Sequence, residues 1–137
     1  MVQNFENELR GILEDHGRFV IRSAGSMGEA DLIMINPMTD NYTMIECKSI
    51  SHHIYYISNT KKDQKQWHEI KNKVIKNGIK MVYAVRYKKQ NALRGKEPHE
   101  KWRFWTVQQL MCQDGDLPIM NLNDADAMDL LTLLSWR

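Results

Sequence analysis

Two short β-type runs joined by turn-forming residues constrain the fold more than any other stretch of this sequence. Residues 32–35 are apolar and end at Asn36-Pro37, and residues 43–48 form a second run. The residues between them, 37–41, include proline, asparagine and aspartate, so the pattern predicts a β-hairpin. Such a hairpin brings the start of its first strand close to the middle of its second strand.

The predicted hairpin places three charged side chains near one another. Asp31 stands at the start of the first strand, and Glu46 and Lys48 stand two residues apart in the second, on one face. Charged groups are rarely buried unless they are paired or bind a metal. Two converging carboxylates suit a hard cation such as Mg²⁺, which polarises a phosphodiester and lowers the pKa of a bound water. Lys48 can orient that water or offset charge on the phosphate oxygens. The alternative is a surface strand with scattered charges, because a D…ExK pattern is short and common.

The length and composition are those of a single globular domain. We expect one domain over residues 1–137, in which residues 108–137 form an acidic, leucine-rich, helical C-terminal extension. No apolar run is long enough for a membrane span, and the N-terminus lacks the pattern of a signal peptide. The two cysteines do not form a disulfide framework, so we expect an intracellular, reduced protein.

The charges are unevenly distributed along the chain, although the net charge is only +2. Residues 61–103 contain 14 Lys/Arg and 4 Asp/Glu, whereas the segments before and after them are acidic. Such a basic block is typical of proteins that bind a polyanion. The alternative is a solvated helix face that is rich in lysine.

Further candidates flank the hairpin. Glu6 lies at the edge of an apolar helix stripe and can lean over a site on the sheet, or it is a first-turn glutamate favoured by the helix dipole. Arg22 precedes a loop of small residues, 23–28, which either binds phosphate or is a flexible turn. Tyr56 can stack on bases, or it is a half-buried strand residue.

The order of the predicted elements is helix, three strands, helix, two strands and further helices. This order predicts an α/β fold with a mixed central sheet flanked by helices. After the strand at residues 102–107 we expect one or two helical turns, loops at residues 117–118 and 121–123, and a final helix over residues 125–135.

Several of these segments together resemble a known family. The sequence is similar to archaeal-type (Hjc-like) Holliday junction resolvases of the PD-(D/E)xK nuclease superfamily. The similar segments are residues 5–9 (FENEL), 20–26 (VIRSAGS), 31–33 (DLI), 45–49 (IECKS), Tyr56 and 102–104 (WRF). The acidic end after Val107 has no assigned counterpart. The resemblance implies a restriction-endonuclease-like fold with about five strands in the sheet.

The resemblance also implies an activity, a cofactor and a site. The family resolves four-way DNA junctions as homodimers that nick opposing strands, with a metal-activated water attacking the phosphodiester. It implies Mg²⁺ as the cofactor, with Mn²⁺ as a substitute, and a place of action in the cytoplasm or at the nucleoid, or in the host cytoplasm for a viral protein. The implied catalytic residues are Glu6, Asp31, Glu46 and Lys48. The implied metal ligands are Asp31, Glu46 and the backbone carbonyl of Cys47, with Glu6 acting through water. The expected DNA contacts are Arg22, Ser26, Tyr56, Lys61, Lys62 and Lys65.

Two other functions fit the same residues. One is a related nuclease of the superfamily that acts on other branched DNA or on duplex DNA, which only a comparison of substrates separates from a resolvase. The other is a non-catalytic DNA-binding module on the same fold, which the complete set of charged residues at the site disfavours.

Overall fold

The computed structural model describes residues 5–22, 31–89 and 97–136. In chain order the helices and strands are α1 (Phe5–Asp15), β1 (Phe19–Arg22), β2 (Leu32–Ile35), β3 (Tyr42–Ile50), β4 (Ile54–Tyr56), α2 (Lys61–Asn77), β5 (Met81–Tyr87), β6 (Trp102–Thr106), α3 (Val107–Met111), β7 (Ile119–Asn121) and α4 (Leu130–Ser135). Short 3-10 turns, Ile57–Asn59 and Pro98–Lys101, precede α2 and β6.

A five-stranded mixed sheet forms the centre of the protein, in the order β1-β2-β3-β5-β6. The strands β1, β2 and β3 pair antiparallel, and β2 and β3 are the predicted hairpin. The strand β5 then pairs parallel with β3, because α2 carries the chain back across the sheet, and β6 pairs antiparallel with β5. The prediction of an α/β fold with a mixed sheet of about five strands is therefore confirmed.

Helices cover both faces of this sheet, and the alternation of β3 supplies both cores. Ile45 and Cys47 point toward the side where α1 and α4 pack. Met44 and Ile50 point to the opposite side, where α2, α3 and a small sheet of β4 and β7 pack. Glu46 and Lys48 share the α2 side because side chains two apart on a strand leave the same face.

The helix α2 packs on the sheet in one defined position because its two ends and its apolar stripe are well defined. The Thr60 hydroxyl accepts a hydrogen bond from the backbone N–H of Asp63, which caps the first turn. Gly78 ends the helix in the left-handed conformation, with φ of 64°. Trp67 and Ile70 are almost fully buried against the sheet. The first turn of α2 therefore lies next to the middle of β3.

The C-terminal third differs in detail from the sequence prediction. The strand β7, which includes Asn121 from a predicted loop, pairs with β4 in a second sheet that we did not predict. The final helix begins at Leu130 rather than at residue 125, because the Asp129 side chain caps it there by accepting from the Thr132 N–H. Leu122 and Leu133 are buried, so this segment supplies part of both cores. Within the described ranges, none of the helices is long and apolar enough to cross a membrane.

Candidate active site

The carboxyl groups of Asp31 and Glu46 meet on the α2 side of the sheet. The Asp31 N–H donates to the Ile45 carbonyl at 2.9 Å, which continues the ladder between β2 and β3 by one residue. The Asp31 carboxylate accepts from the Cys47 N–H at 2.8 Å, and this bond turns it toward β3. Its carboxyl lies within hydrogen-bonding reach of the Glu46 carboxyl. The hairpin thus brings together two acids that are distant in sequence.

Glu46 is the more deeply buried of these two acids, with a relative exposure of 3%. Burial raises the pKa of its carboxyl to about 9, with further contributions from the hydrogen bond and the negative charge of Asp31. Lys48 and Gln66 oppose this shift without cancelling it. In the absence of a cation, the raised pKa therefore favours the protonated form of Glu46 at neutral pH.

Lys48 and Glu46 are both held by the first two turns of α2. The Lys48 ammonium lies 3.3 Å from the Asp63 carboxylate and donates to the Gln66 side-chain carbonyl at 2.8 Å. The Gln66 amide group in turn donates to the Glu46 carboxyl at 2.6 Å. Burial acts to raise the pKa of Asp63, but Tyr55, Lys48 and Thr60 lower it below its usual value. Asp63 therefore remains ionised beside the ammonium.

Glu6 reaches the same end of the sheet from α1, on the other side. Burial and the charge of Asp31 raise the pKa of the Glu6 carboxyl, and Arg22 opposes the shift. The Arg22 guanidinium lies 3.4 Å from the Glu6 carboxylate, and both side chains are partly exposed. An exposed pair of this kind contributes little stability, so a phosphate can compete with Glu6 for Arg22.

The structure therefore brings the four predicted catalytic residues to one place. The Cys47 backbone also lies there, and burial raises the pKa of its thiol, which keeps the sulfur neutral. The side chains of Tyr56, Lys61, Lys62 and Lys65 are exposed near the first turns of α2. Ser26 lies outside the described residues, so its placement stays a prediction.

The donor set of the site fits a hard divalent cation. Two carboxylates beside each other repel when both are ionised, and a cation removes that repulsion. In the described part of the chain, no group of three or more His, Cys, Asp or Glu side chains has metal-binding geometry. The side chains of Asp31 and Glu46 would therefore leave most coordination positions to water and phosphate oxygens, as Mg²⁺ usually requires.

Comparison with known families identifies the family of this chain. The family model described as archaeal Holliday junction resolvase (Hjc) matches residues 2–136. The chain belongs to the archaeal Holliday junction resolvase family. Members of this family are junction-resolving nucleases that generally need a divalent metal. The acidic end after Val107 lies inside the matched span up to residue 136.

The fold of this resolvase agrees with its family. It superposes on the Hjc Holliday junction resolvase of the hyperthermophile Archaeoglobus fulgidus with a TM-score of 0.63. The two sequences are 20% identical over 97% of this chain and 94% of the other. A comparison with curated protein sequences found no significant match.

Some residues around the site of the resolvase were not predicted from the sequence. The sequence analysis singled out neither Asp63 nor Gln66. Glu8 also has a role that we did not predict, because it binds the Arg86 guanidinium and the Trp102 indole on the sheet. A signal for the α2 residues existed, since Asp63 and Gln66 continue the stripe of Trp67 and Ile70 toward the helix start.

The raised pKa of Glu46 predicts how the stability of the metal-free resolvase changes with pH. Above about pH 4.5 the unfolded chain releases this proton while the folded protein keeps it, so the free energy of unfolding falls as the pH rises toward 9. Glu46→Gln removes this pH-dependent loss. At pH 9 we therefore expect the free energy of unfolding of the variant to be higher than that of the wild type by at least about 1.4 kcal/mol. The two proteins converge near pH 4.

Urea unfolding in EDTA at several pH values measures this difference. A constant difference between the two proteins from pH 4 to pH 9 would show that Glu46 ionises normally in the folded protein. Glu69→Gln, an exposed change of the same kind on α2, serves as the control and is expected to show no such pH trend.

Proposed function

We propose that this resolvase cuts four-way DNA junctions by paired nicks in a Mg²⁺-dependent reaction, with Mn²⁺ as a substitute. We place the reaction at Glu6, Asp31, Glu46 and Lys48. The observation that carries the proposal is the pairing of the Asp31 and Glu46 carboxyls beside Lys48, which is held half-buried by Asp63 and Gln66. This arrangement would combine a cation with a fixed positive charge, both of which stabilise the transition state of phosphodiester hydrolysis.

Each residue has a distinct proposed task. Asp31 and Glu46 would hold the cation, together with the Cys47 carbonyl, and Glu6 would contact its water shell. A bound Mg²⁺ would supply Lewis-acid polarisation of the phosphodiester and a water of lowered pKa. Lys48 would orient the attacking water and offset negative charge on the phosphate oxygens. Cleavage in this way would leave a 5′-phosphate.

The DNA would approach the face of the protein that carries this site. Arg22 and Ser26 would contact the phosphate that is cut. Tyr56, Lys61, Lys62 and Lys65 would contact the flanking backbone, since they are exposed beside the start of α2. The basic block inside a nearly neutral chain supports this orientation.

A homodimer would supply the second nick. Each chain carries one proposed site, whereas resolution needs a cut in each of two opposing strands. We therefore propose that two copies act together inside the cell, at the DNA in the cytoplasm or nucleoid. Light scattering coupled to size-exclusion chromatography tests the dimer, and a monomer at the concentrations that give paired nicks would contradict it.

The direct test offers purified protein a synthetic four-way junction and a linear duplex of the same sequence, with Mg²⁺ and with EDTA. We expect symmetric nicks in the junction with Mg²⁺ and no cutting in EDTA. Equal cutting of the duplex would instead indicate a related nuclease with another substrate. Binding of the junction without cleavage under any metal condition would indicate a non-catalytic module.

The proposed contacts of α2 predict a specific dependence of binding on salt. Each lysine that neutralises a phosphate contributes roughly one to the slope of log K against log salt. Lys61→Gln combined with Lys65→Gln is therefore expected to lower the slope by about two and to weaken binding to junction. Lys76→Gln, at the far end of the same helix, is the matched control. An unchanged slope in the double variant would place the DNA elsewhere.

A further inference from the structure

Two residues of α2 stand between the sheet and the solvent at the proposed site, and neither belongs to the motifs of the sequence analysis. Asp63 and Gln66 are three positions apart, so both point from one helix face toward β3. They are fixed in place because the following turns are anchored by Trp67 and Ile70, with exposures of 1% and 0%. The Trp67 indole also donates to the Asp116 carbonyl at 3.2 Å.

The side chain of Gln66 connects the two ionisable residues of β3, Glu46 and Lys48. An ammonium can only donate hydrogen bonds, so the Gln66 carbonyl must face Lys48, at 2.8 Å. The amide nitrogen of Gln66 then necessarily faces Glu46, to which it donates at 2.6 Å. An amide offers a donor and an acceptor in one rigid plane, whereas an ionised carboxylate or an apolar side chain of this length cannot make both bonds.

Asp63 completes the set of partners that Lys48 has on α2. The Lys48 side chain is 19% exposed, and the Asp63 carboxylate lies 3.3 Å from its ammonium. A flexible four-carbon side chain would otherwise sample many rotamers at this depth. Two fixed acceptors on one helix instead select the orientation in which the ammonium stays next to Glu46.

We propose that Gln66 and Asp63 are positioning residues for the cleavage reaction, and that α2 aims Lys48 and Glu46 through them. This inference rests on the proposed function, because it assumes that Lys48 and Glu46 take part in cleavage. The helix α2, which carries the proposed DNA-contacting lysines, would thus also orient Lys48 and Glu46. Removing supporting partners of this kind typically costs 10- to 100-fold in activity.

The test compares Gln66→Met and Asp63→Asn with wild type. Gln66→Met keeps the length of the side chain but removes both hydrogen bonds, and Asp63→Asn removes the charge while keeping the shape. We expect the single-turnover cleavage rate of a four-way junction at saturating protein to fall by about 10- to 100-fold in each variant. The dissociation constant for the junction in EDTA and the midpoint of thermal unfolding should stay near those of the wild type.

Gln64→Met is the matched control, because Gln64 lies on the same turn but donates to the Ser58 carbonyl instead. It should cut at the wild-type rate. The inference would be overturned if the loss of rate in Gln66→Met and Asp63→Asn came with a loss of junction affinity of the same size. It would also be overturned if the midpoint of thermal unfolding fell clearly in both variants. A purely structural role would act in either of these ways.

Failure of the proposed function would look different. If Glu46→Gln itself cuts at the wild-type rate, the proposed site is wrong whatever the α2 variants do. If Glu46→Gln is inactive while Gln66→Met and Asp63→Asn both cut at the wild-type rate, only the positioning role is overturned.

Discussion

Glu46→Gln is expected to lower the rate of junction cleavage by on the order of 1000-fold or more, while junction binding in EDTA remains. The expected loss corresponds to about 4 kcal/mol of transition-state stabilisation, which is the scale of a catalytic metal contact. Glutamine has the shape of a protonated glutamate, and Glu46 is protonated at neutral pH in the metal-free protein. The substitution therefore preserves the packing and the hydrogen bonds with Asp31 and Gln66 while removing the ability to carry the negative charge.

Asp31→Asn is expected to give a similar loss, since it removes the other carboxylate of the pair. A single-turnover assay with a labelled four-way junction measures both variants. Glu69→Gln is again the control, because the same chemical change on the exposed face of α2 should leave the rate unchanged. Cleavage at the wild-type rate by either Asp31→Asn or Glu46→Gln would contradict the proposed cation site.

Glu8→Ala is expected to lower the free energy of unfolding by about 3–5 kcal/mol. The Glu8 carboxylate accepts two hydrogen bonds from Arg86, at 2.8 and 3.0 Å, and a third from the Trp102 indole at 2.8 Å. Arg86 is nearly buried, with a side-chain exposure of 7%, and its guanidinium lies 4.5 Å from the centre of the Phe5 ring. Without Glu8, a buried positive charge loses its counter-ion.

Glu14→Ala is the matched control on the same helix. Its pair with Arg10, at 3.2 Å, is about half exposed and lacks full hydrogen-bond geometry, so its loss should cost less than about 1 kcal/mol. Urea unfolding in EDTA measures both variants. Equal costs for Glu8→Ala and Glu14→Ala would show that α1 is not held to the sheet by the buried pair. Since Glu6 lies on the same helix, this pair also fixes the side from which Glu6 approaches Asp31.

The sequence predicted the hairpin and the two acids because the information for them is local. The turn residues at 37–41 and the alternation along β3 determine which strands pair and which face Glu46 takes. The short strands β4 and β7 were missed because each has only three residues, and their pairing depends on where α2 and α3 leave room over the sheet.

The partners of Lys48 could not be predicted in the same way. Asp63 and Gln66 lie 15 and 18 residues after Lys48 and reach it only because the crossover helix packs at one register on β3. That register is set by Trp67 and Ile70 in the core, so it depends on tertiary packing rather than on a motif. The pairing of Glu8 with Arg86, 78 residues apart, is likewise a consequence of packing.

A crystal of the resolvase soaked in Mn²⁺ and measured at the manganese absorption edge shows directly whether Asp31 and Glu46 hold the cation. We expect one strong anomalous peak per chain, within coordination distance of a carboxylate oxygen of both Asp31 and Glu46, and no such peak in Glu46→Gln. An undiminished peak in Glu46→Gln, or a wild-type peak that contacts neither carboxylate although the same protein cuts junctions in Mn²⁺, would contradict it.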